Sequence, residues 1–386
     1  MTNVDQPARV RGAARLKGLG TTIFTEMTLL AQRTGAINLG QGFPDEDGPS
    51  EAIEAAVAAL RGGHNQYAPL PGVPSLRDAI LAHQRQYYGL EPEDLLVTFG
   101  ATEAIAAALL GLCNPGDEVL VLEPYYDSYA ACIAFAGATR RPVTLRAPDF
   151  ALDLDELRAT AATAHGKAKV LLLNTPHNPT GRVLNAEELN AIAGVCIEHD
   201  LVCVSDEVYE HLVYEGEHIP IATLPGMADR TLTISSVGKS FSFTGWKVGW
   251  CSGPTELVAA TRKVKQYLTF AGGTPLQHAA AAALALPPGH LTALRDQLKT
   301  NRDRLSEGIA AAGWRPLPCA GTYFINADVG EEGVAFCAAL PDRAGVVAIP
   351  TSVFYDDKQA GRTLVRFAFC KRPDVIAQAA QRLANA

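Results

Sequence analysis

Lys239 stands in the stretch Thr233 to Trp250, TISSVGKSFSFTGWKVGW, where the apolar run TLTISS gives way to small residues. Ser236 lies three positions before it, Gly245 six after it, and a second lysine, Lys247, eight after it. A lysine on a tight turn past a strand is poor core material, because a buried ammonium is costly unless neutralised or paired. A site that needs a neutral, nucleophilic amine would place one there; a solvated surface turn would carry the same residues. SSVGK also matches S-x-x-K, which in some acyl-transfer enzymes sets a serine nucleophile beside its lysine. A Walker A loop is excluded, since Thr233 stands where it requires glycine.

Other residues with chemical potential fall at the ends of apolar runs. FGATEA (Phe99 to Ala104) is a glycine turn opening a helix at Thr102, whose free N–H groups and dipole would suit a phosphate. LEPYYDSY offers Tyr125 as a flat aromatic face, though a packing tyrosine would read the same way. NTPHNPTG (Asn174 to Gly181) is a proline-fixed turn that holds Asn178 as a hydrogen-bond donor. In SDEVYEHLVY, Asp206 ends an apolar strand with Tyr209 three residues on. A buried carboxylate there needs a cationic partner, such as a protonated ring nitrogen; a helix cap is the alternative. Arg366, inside LVRFAFC, is costly unless it meets a carboxylate that its planar fork can grip. The pair Gly40-x-Gly42 suggests a dinucleotide loop, but Phe43 and Pro44 follow and no helix opens there.

The elements that position these residues alternate. From Leu95, LLVTFG, EVLVLEP, AKVLLLN, LVCVSDEVY and RTLTISS read as strands separated by helices such as TEAIAAALLGLC, YDSYAACIAFAG and AEELNAIAGVCIEHD. Strands that are nearly continuous apolar runs predict an α/β domain with a mostly parallel sheet covered by helices on both faces. Functional groups then gather at the strands' carboxyl ends. Before this region, Ser50 is predicted to cap a helix to about Arg61 that Gly62 and Gly63 stop, and a second helix spans about Ser75 to Tyr88. After about His290 a polar helix (Leu291 to Ala312), the strands GTYFINAD, VVAIP and LVRFAFC, and a helix from about Asp374 predict a smaller α+β domain. The expected division is residues 1–45 as an arm joining the small domain, 46–290 as the large domain and 291–386 as the small one.

With 386 residues, 48% hydrophobic and 19% charged, the chain has the composition of a soluble globular protein. Its net charge of −8 speaks against a nucleic-acid surface. The first twenty residues carry Arg9, Arg11, Arg15 and Lys17 without the apolar stretch of a secretory signal, and no apolar run is long enough to span a membrane. Eight cysteines, none in a C-x-x-C pair, fit reduced buried thiols of a cytoplasmic protein rather than a zinc site or disulfide framework.

Together, the glycine turn, aromatic face, asparagine turn, aspartate, tyrosine, lysine and arginine resemble, in order and approximate spacing, the class I (fold-type I) pyridoxal-phosphate aminotransferases. The resemblance covers essentially the whole chain. LGQGFPD, NTPHNPTG, SDEVY, GKSFSFTGWKVGW and VRFAFCK look most like the branch of kynurenine/glutamine, methionine and N-succinyldiaminopimelate aminotransferases. It implies pyridoxal 5'-phosphate held by Lys239 as a Schiff base, with Asp206 on the ring nitrogen and Tyr209 and Asn178 on the ring hydroxyl. Tyr125 would stack on the ring, its hydroxyl dispensable because relatives often carry Phe. Gly100, Ala101, Thr102, Ser236 and Lys247 would hold the phosphate, and Tyr67 would reach the phosphate of a neighbouring subunit, implying a homodimer. Arg366 would bind the substrate carboxylate, with Gly42 allowing close approach and Phe24 and Phe270 in the side-chain pocket. The implied reaction moves an amino group between an amino acid, neutral or aromatic, and a 2-oxo acid. The rival reading is N-succinyldiaminopimelate aminotransfer from glutamate; more remote are a C–S lyase and an S-x-x-K hydrolase, whose S-D-N and K-T-G elements the chain lacks.

Overall fold

The computed structural model describes residues 12–17, 20 and 22–386; Arg9 and Arg11 of the basic N-terminal stretch lie outside the described residues. Seven strands form one sheet in the spatial order Asp94–Thr98, Gly249–Gly253, Thr231–Ser236, Val202–Asp206, Ala168–Asn174, Glu118–Glu123, Thr139–Thr144. The last five in that order run parallel to one another, and Gly249–Gly253 runs antiparallel to both strands beside it. The mostly parallel α/β sheet expected from the apolar runs is present. The antiparallel strand is not expected from the sequence, because WKVGWCSGP is broken by glycines and lysine in a way that reads as loop.

Helices cover both faces. Gly100–Leu112 lies on the sheet through Ala104, Ala107 and Ala108, all fully buried, and against Thr255–Leu268. Small side chains let these backbones approach closely. On the opposite face, Leu157, Leu189 and Ile192 from Leu154–Ala162 and Ala186–Glu198 complete a second apolar layer. The helix Ser50–Arg61 has the expected span and Gly62 at its end, but Pro49 holds its N-cap position. Ser50 is the first helical residue, and its hydroxyl donates to Glu51 at 3.1 Å instead of capping. Pro74–Tyr88 opens with proline and closes on left-handed Gly89.

A second, antiparallel sheet has the order Ile349–Pro350, Leu364–Ala368, Phe324–Asp328, Arg315–Pro316. Arg366 sits at its centre, paired with Asn326 on one side and Ile349 on the other. The helix Pro288–Ala311 leads into this region and packs on the final helix Pro373–Ala384. Near the N-terminus, Ile37–Asn38 pairs in parallel with Val346–Val347, which ties the early chain to the late one. Among the described residues, no helix is long and apolar enough to cross a membrane.

Candidate active site

Three neighbouring parallel strands end at one cavity of about 250 Å³ between the two sheets. Ala168–Asn174 delivers Asn174, Val202–Asp206 delivers Asp206, and Thr231–Ser236 delivers Ser236. The chain then turns into the short helix Val237–Ser240, which presents Lys239 rather than leaving it on an open turn. Its Nζ lies 5.9 Å from the Tyr209 ring centre and 5.6 Å from that of Tyr323. Burial disfavours the ammonium and brings its pKa down to about 8.

Asp206 has the opposite problem. Burial raises its carboxyl to about 6, against the 2.5 Å hydrogen bond donated by the Tyr129 hydroxyl, the Val208 N–H and the pull of Lys239. A cationic ring nitrogen beside it would restore the ionised form. Nothing in the sequence singles out Tyr129; it sits in LEPYYDSY on the helix Asp127–Phe135, and only the fold brings it beneath Asp206.

On the other side of the cavity, Gly100 adopts φ +69° as it opens the helix Gly100–Leu112, so the N–H groups of the first turn face inward. Lys247, itself left-handed at φ +55°, leans across this turn: a Cβ on Gly100 would stand 3.2 Å from its Nζ. Gly249 makes the approach possible, because a Cβ there would meet the Gly100 and Ala101 backbone at 2.6–2.8 Å. Ala101, Thr102 and Ser236 complete an anion cradle of N–H and hydroxyl donors beside an ammonium.

Arg366 closes the third side. It is 1% exposed, yet among the described residues no carboxylate lies within ion-pair distance. Its Nη1 donates to Asn178 Oδ1 at 3.0 Å and its Nη2 to the Gly40 carbonyl at 3.1 Å, while Nε has no partner. Phe324, Phe354 and Phe24 lie 4.0, 4.7 and 5.5 Å from the guanidinium. Burial lowers its pKa to about 10. A buried cation with an unused donor among aromatic rings has the charge and planar fork that a carboxylate would take. Asn178 is held in turn by Asn174, which accepts from the Asn178 N–H at 2.8 Å and donates to the Asp206 carbonyl at 2.8 Å. One chain of contacts therefore runs from Arg366 to Asp206.

The structure brings Phe24, Gly42, Gly100, Ala101, Thr102, Asn178, Asp206, Tyr209, Ser236, Lys239, Lys247 and Arg366 to this cavity. Gly42 is required there: a Cβ would come 2.3 Å from Phe324. Tyr125 is a correction. Its side chain points away from the cavity, 5% exposed, and its hydroxyl donates to Asp356 at 2.7 Å. The neighbouring residue, Tyr126, lines the cavity instead, because successive residues past a strand end turn to opposite sides. Phe270 is not among the residues lining this chain's cavity; it lies edge-on to Tyr67 at 5.6 Å, and Tyr67 is 84% exposed. Gln41 and Phe43, not expected from the sequence, line the cavity near Phe24.

The profile of the family described as aminotransferase class I and II matches residues 34–383. Over 389 residues the chain is 50% identical to a protein of Mycobacterium tuberculosis described as a probable N-succinyldiaminopimelate aminotransferase, covering 96% of this chain and 97% of that protein. It is 41% identical over 378 residues to the methionine aminotransferase of Escherichia coli, covering 96% and 97% of the two chains. The solved structure of N-succinyldiaminopimelate aminotransferase from Mycobacterium tuberculosis is similar at a TM-score of 0.93 and 49% identity, over 97% of this chain and 99% of that one.

Proposed function

The chain belongs to the class I and II aminotransferases, pyridoxal-phosphate-dependent enzymes of fold type I, and from that premise we propose which residues act and which substrates they select. The enzyme moves an amino group between an amino acid and a 2-oxo acid. The S-x-x-K hydrolase reading of Ser236 falls with this assignment.

The residues present fit the cofactor: an anion cradle, a carboxyl in no ion pair among the described residues and a lysine face one cavity. Pyridoxal phosphate, when bound, supplies a ring that withdraws the electrons left by a departing α-proton. Gly100, Ala101, Thr102, Ser236 and Lys247 take the phosphate. Asp206, oriented by Tyr129, keeps a proton on the ring nitrogen; Tyr209 and Asn178 attend the ring hydroxyl, and Tyr126 replaces Tyr125 against the ring face. Lys239 holds the cofactor and then serves as the base that takes the α-proton at Nζ. Arg366 grips the α-carboxylate in both half-reactions. Its buried guanidinium, in no ion pair among the described residues and facing the same cavity as Lys239, is the observation that carries this reading.

The side chain of the substrate is neutral or aromatic, as in methionine, glutamine, phenylalanine or kynurenine. Phe24, Phe43, Tyr126 and Gln41 support this, because among the described residues the only lining cations are Lys239, Lys247 and Arg366, and each already has a task. The 50% identity to a probable N-succinyldiaminopimelate aminotransferase favours the second reading, an acidic substrate with glutamate as donor. Tyr67, exposed and beside Phe270, supports a homodimer in which it reaches the partner's phosphate. The proposed division of the chain near residues 45 and 290 is supported by the separation of its seven-stranded and four-stranded sheets, and a cytoplasmic location by eight buried free cysteines.

An amino-donor screen against several 2-oxo acids, including the succinylated oxopimelate, tests the choice. Neutral or aromatic donors are expected to exceed the succinylated pair in kcat/KM by about tenfold or more, the value of one or two well-fitted apolar groups. The reverse order selects the second reading, and turnover with none of them overturns both.

A further inference from the structure

Residues 351–356 lie against the edge of the seven-stranded sheet through a compact set of hydrogen bonds. The Tyr125 N–H donates to the Phe354 carbonyl at 2.9 Å, and the Tyr355 hydroxyl donates to the Leu145 carbonyl at 2.9 Å. The Asp356 N–H donates to Glu123 at 2.7 Å, and Thr144 fixes the other oxygen of Glu123 at 2.8 Å. Asp356 itself is gripped twice. The Tyr125 hydroxyl donates to it at 2.7 Å, and the Arg140 fork donates to both its oxygens at 2.7 and 2.8 Å. The participants come from both sides of the cavity: Tyr125 and Arg140 from the large sheet, Asp356 from the segment between Ile349–Pro350 and Leu364–Ala368.

This set holds a residue that backs two lining side chains, Arg366 and Phe24. Phe354, two residues before Asp356, lies 4.7 Å from the Arg366 guanidinium and 6.1 Å from the Phe24 ring. We propose that Tyr125, Asp356 and Arg140 are positioning residues for substrate binding, a latch that seats Phe354 against Arg366 and Phe24 so that Arg366 meets its carboxylate in a dry, aromatic setting. The latch rests on the assignment of Arg366 as carboxylate receptor. Arg140 and Asp356 are about one-third exposed, so their pairing contributes little to global stability. Its bidentate form nevertheless fixes geometry, and a guanidinium kept from water attracts a carboxylate more strongly. The hydroxyl of Tyr125, expected from the family to be dispensable, becomes the inner anchor of this latch.

The test compares Tyr125→Phe, Asp356→Asn and the parent as holoenzymes, reading KM, kcat, cofactor affinity and the effect of added salt on KM. KM for the amino donor is expected to rise about tenfold in each variant, as for loss of one hydrogen bond to a charged group. The expected kcat stays within about twofold and cofactor affinity is unchanged, because an interaction lost equally from ground and transition states appears in KM alone. Added salt raises KM more in the parent than in Asp356→Asn, where no Arg140 ion pair remains to be screened. Unchanged KM in both variants overturns the proposal. So does a loss of cofactor that parallels the rise in KM, which marks a merely structural role. Tyr125→Phe removes a single oxygen and decides between these outcomes if Asp356→Asn does not fold. Borohydride fixation of cofactor to Lys239 in the parent checks the site assignment separately; its failure there condemns that assignment, while the KM comparison still decides for or against the latch.

Discussion

Lys239 and Asp206 are shifted in opposite directions by the same burial, one amine toward neutrality at about 8 and one carboxyl toward protonation at about 6. The consequence for the cofactor-free protein is a defined pH dependence. Only the neutral amine attacks a carbonyl, so covalent cofactor attachment is expected to accelerate as pH rises through about 8, followed by absorbance after mixing. Lys239→Ala is expected to retain non-covalent cofactor but to lose turnover by about 10²–10⁴-fold; near-normal turnover would remove Lys239 from its role. The residue types are legible in the sequence because each is out of place in ordinary core: a lysine after a strand, an arginine within one, an acid at the end of one. Tyr126 and Tyr129 are not legible in this way. In LEPYYDSY three tyrosines compete, and which ring faces the cavity is set by the turn out of the strand Glu118–Glu123.

At the level of elements, the strand Val202–Asp206 continues into a turn that buries Glu207 and Glu210 as well. Glu207 pairs with His218 at 2.9 Å and accepts from Ser205 at 2.7 Å. Glu210 accepts from Ser235 at 2.9 Å and lies 3.9 Å from both His83 and His211. Burial, aided by the charge of Glu207, raises the Glu210 carboxyl to about 8 from an ordinary 4.5, and burial lowers His83 to about 4. The sign follows from linkage. The folded chain holds a proton on Glu210 that the unfolded chain releases, so this contribution to stability is complete below pH 4.5 and lost as pH rises to about 8. Glu210→Gln keeps the acceptor for Ser235 without the charge, and its Tm is expected to exceed the parent's by a few degrees at pH 8 and to match it near pH 4.5. A pH-independent difference in thermal melts would contradict this. Strand and helix alternation is legible from apolar periodicity, whereas Gly249–Gly253 is not. Its glycines serve the close approach to Gly100, a tertiary requirement that looks like a loop in one dimension.

For the molecule as a whole, the exposed pair Tyr67 and Phe270 marks the face through which the proposed dimer would form, with Tyr267 also 85% exposed. If Tyr67 completes a partner's phosphate site, Tyr67→Phe weakens cofactor binding by about tenfold or more, the worth of a hydrogen bond to a charged group. The mass in sedimentation is expected to match that of the parent. Equal cofactor affinity in parent and variant would remove Tyr67 from the site. Phe270, expected in the side-chain pocket, follows Thr255–Leu268 and lies beside Tyr67 at this face rather than in this chain's own cavity.

The alternation of strands and helices, the α/β class and most of the chemical residues are readable from the order of the amino acids. These follow from local rules: apolar runs make strands, and charges in apolar settings need a purpose. Tertiary structure alone decided three things: that Tyr126 rather than Tyr125 faces the cavity, that Tyr129 supports Asp206, and that Arg366 reaches Asn178 across 188 positions of chain. Side-chain direction at a strand end and contacts between distant segments depend on packing, which no local pattern encodes. The same holds for Lys239. Its type and neighbours are written in the sequence, but the burial that makes it a usable amine is produced by the fold around it.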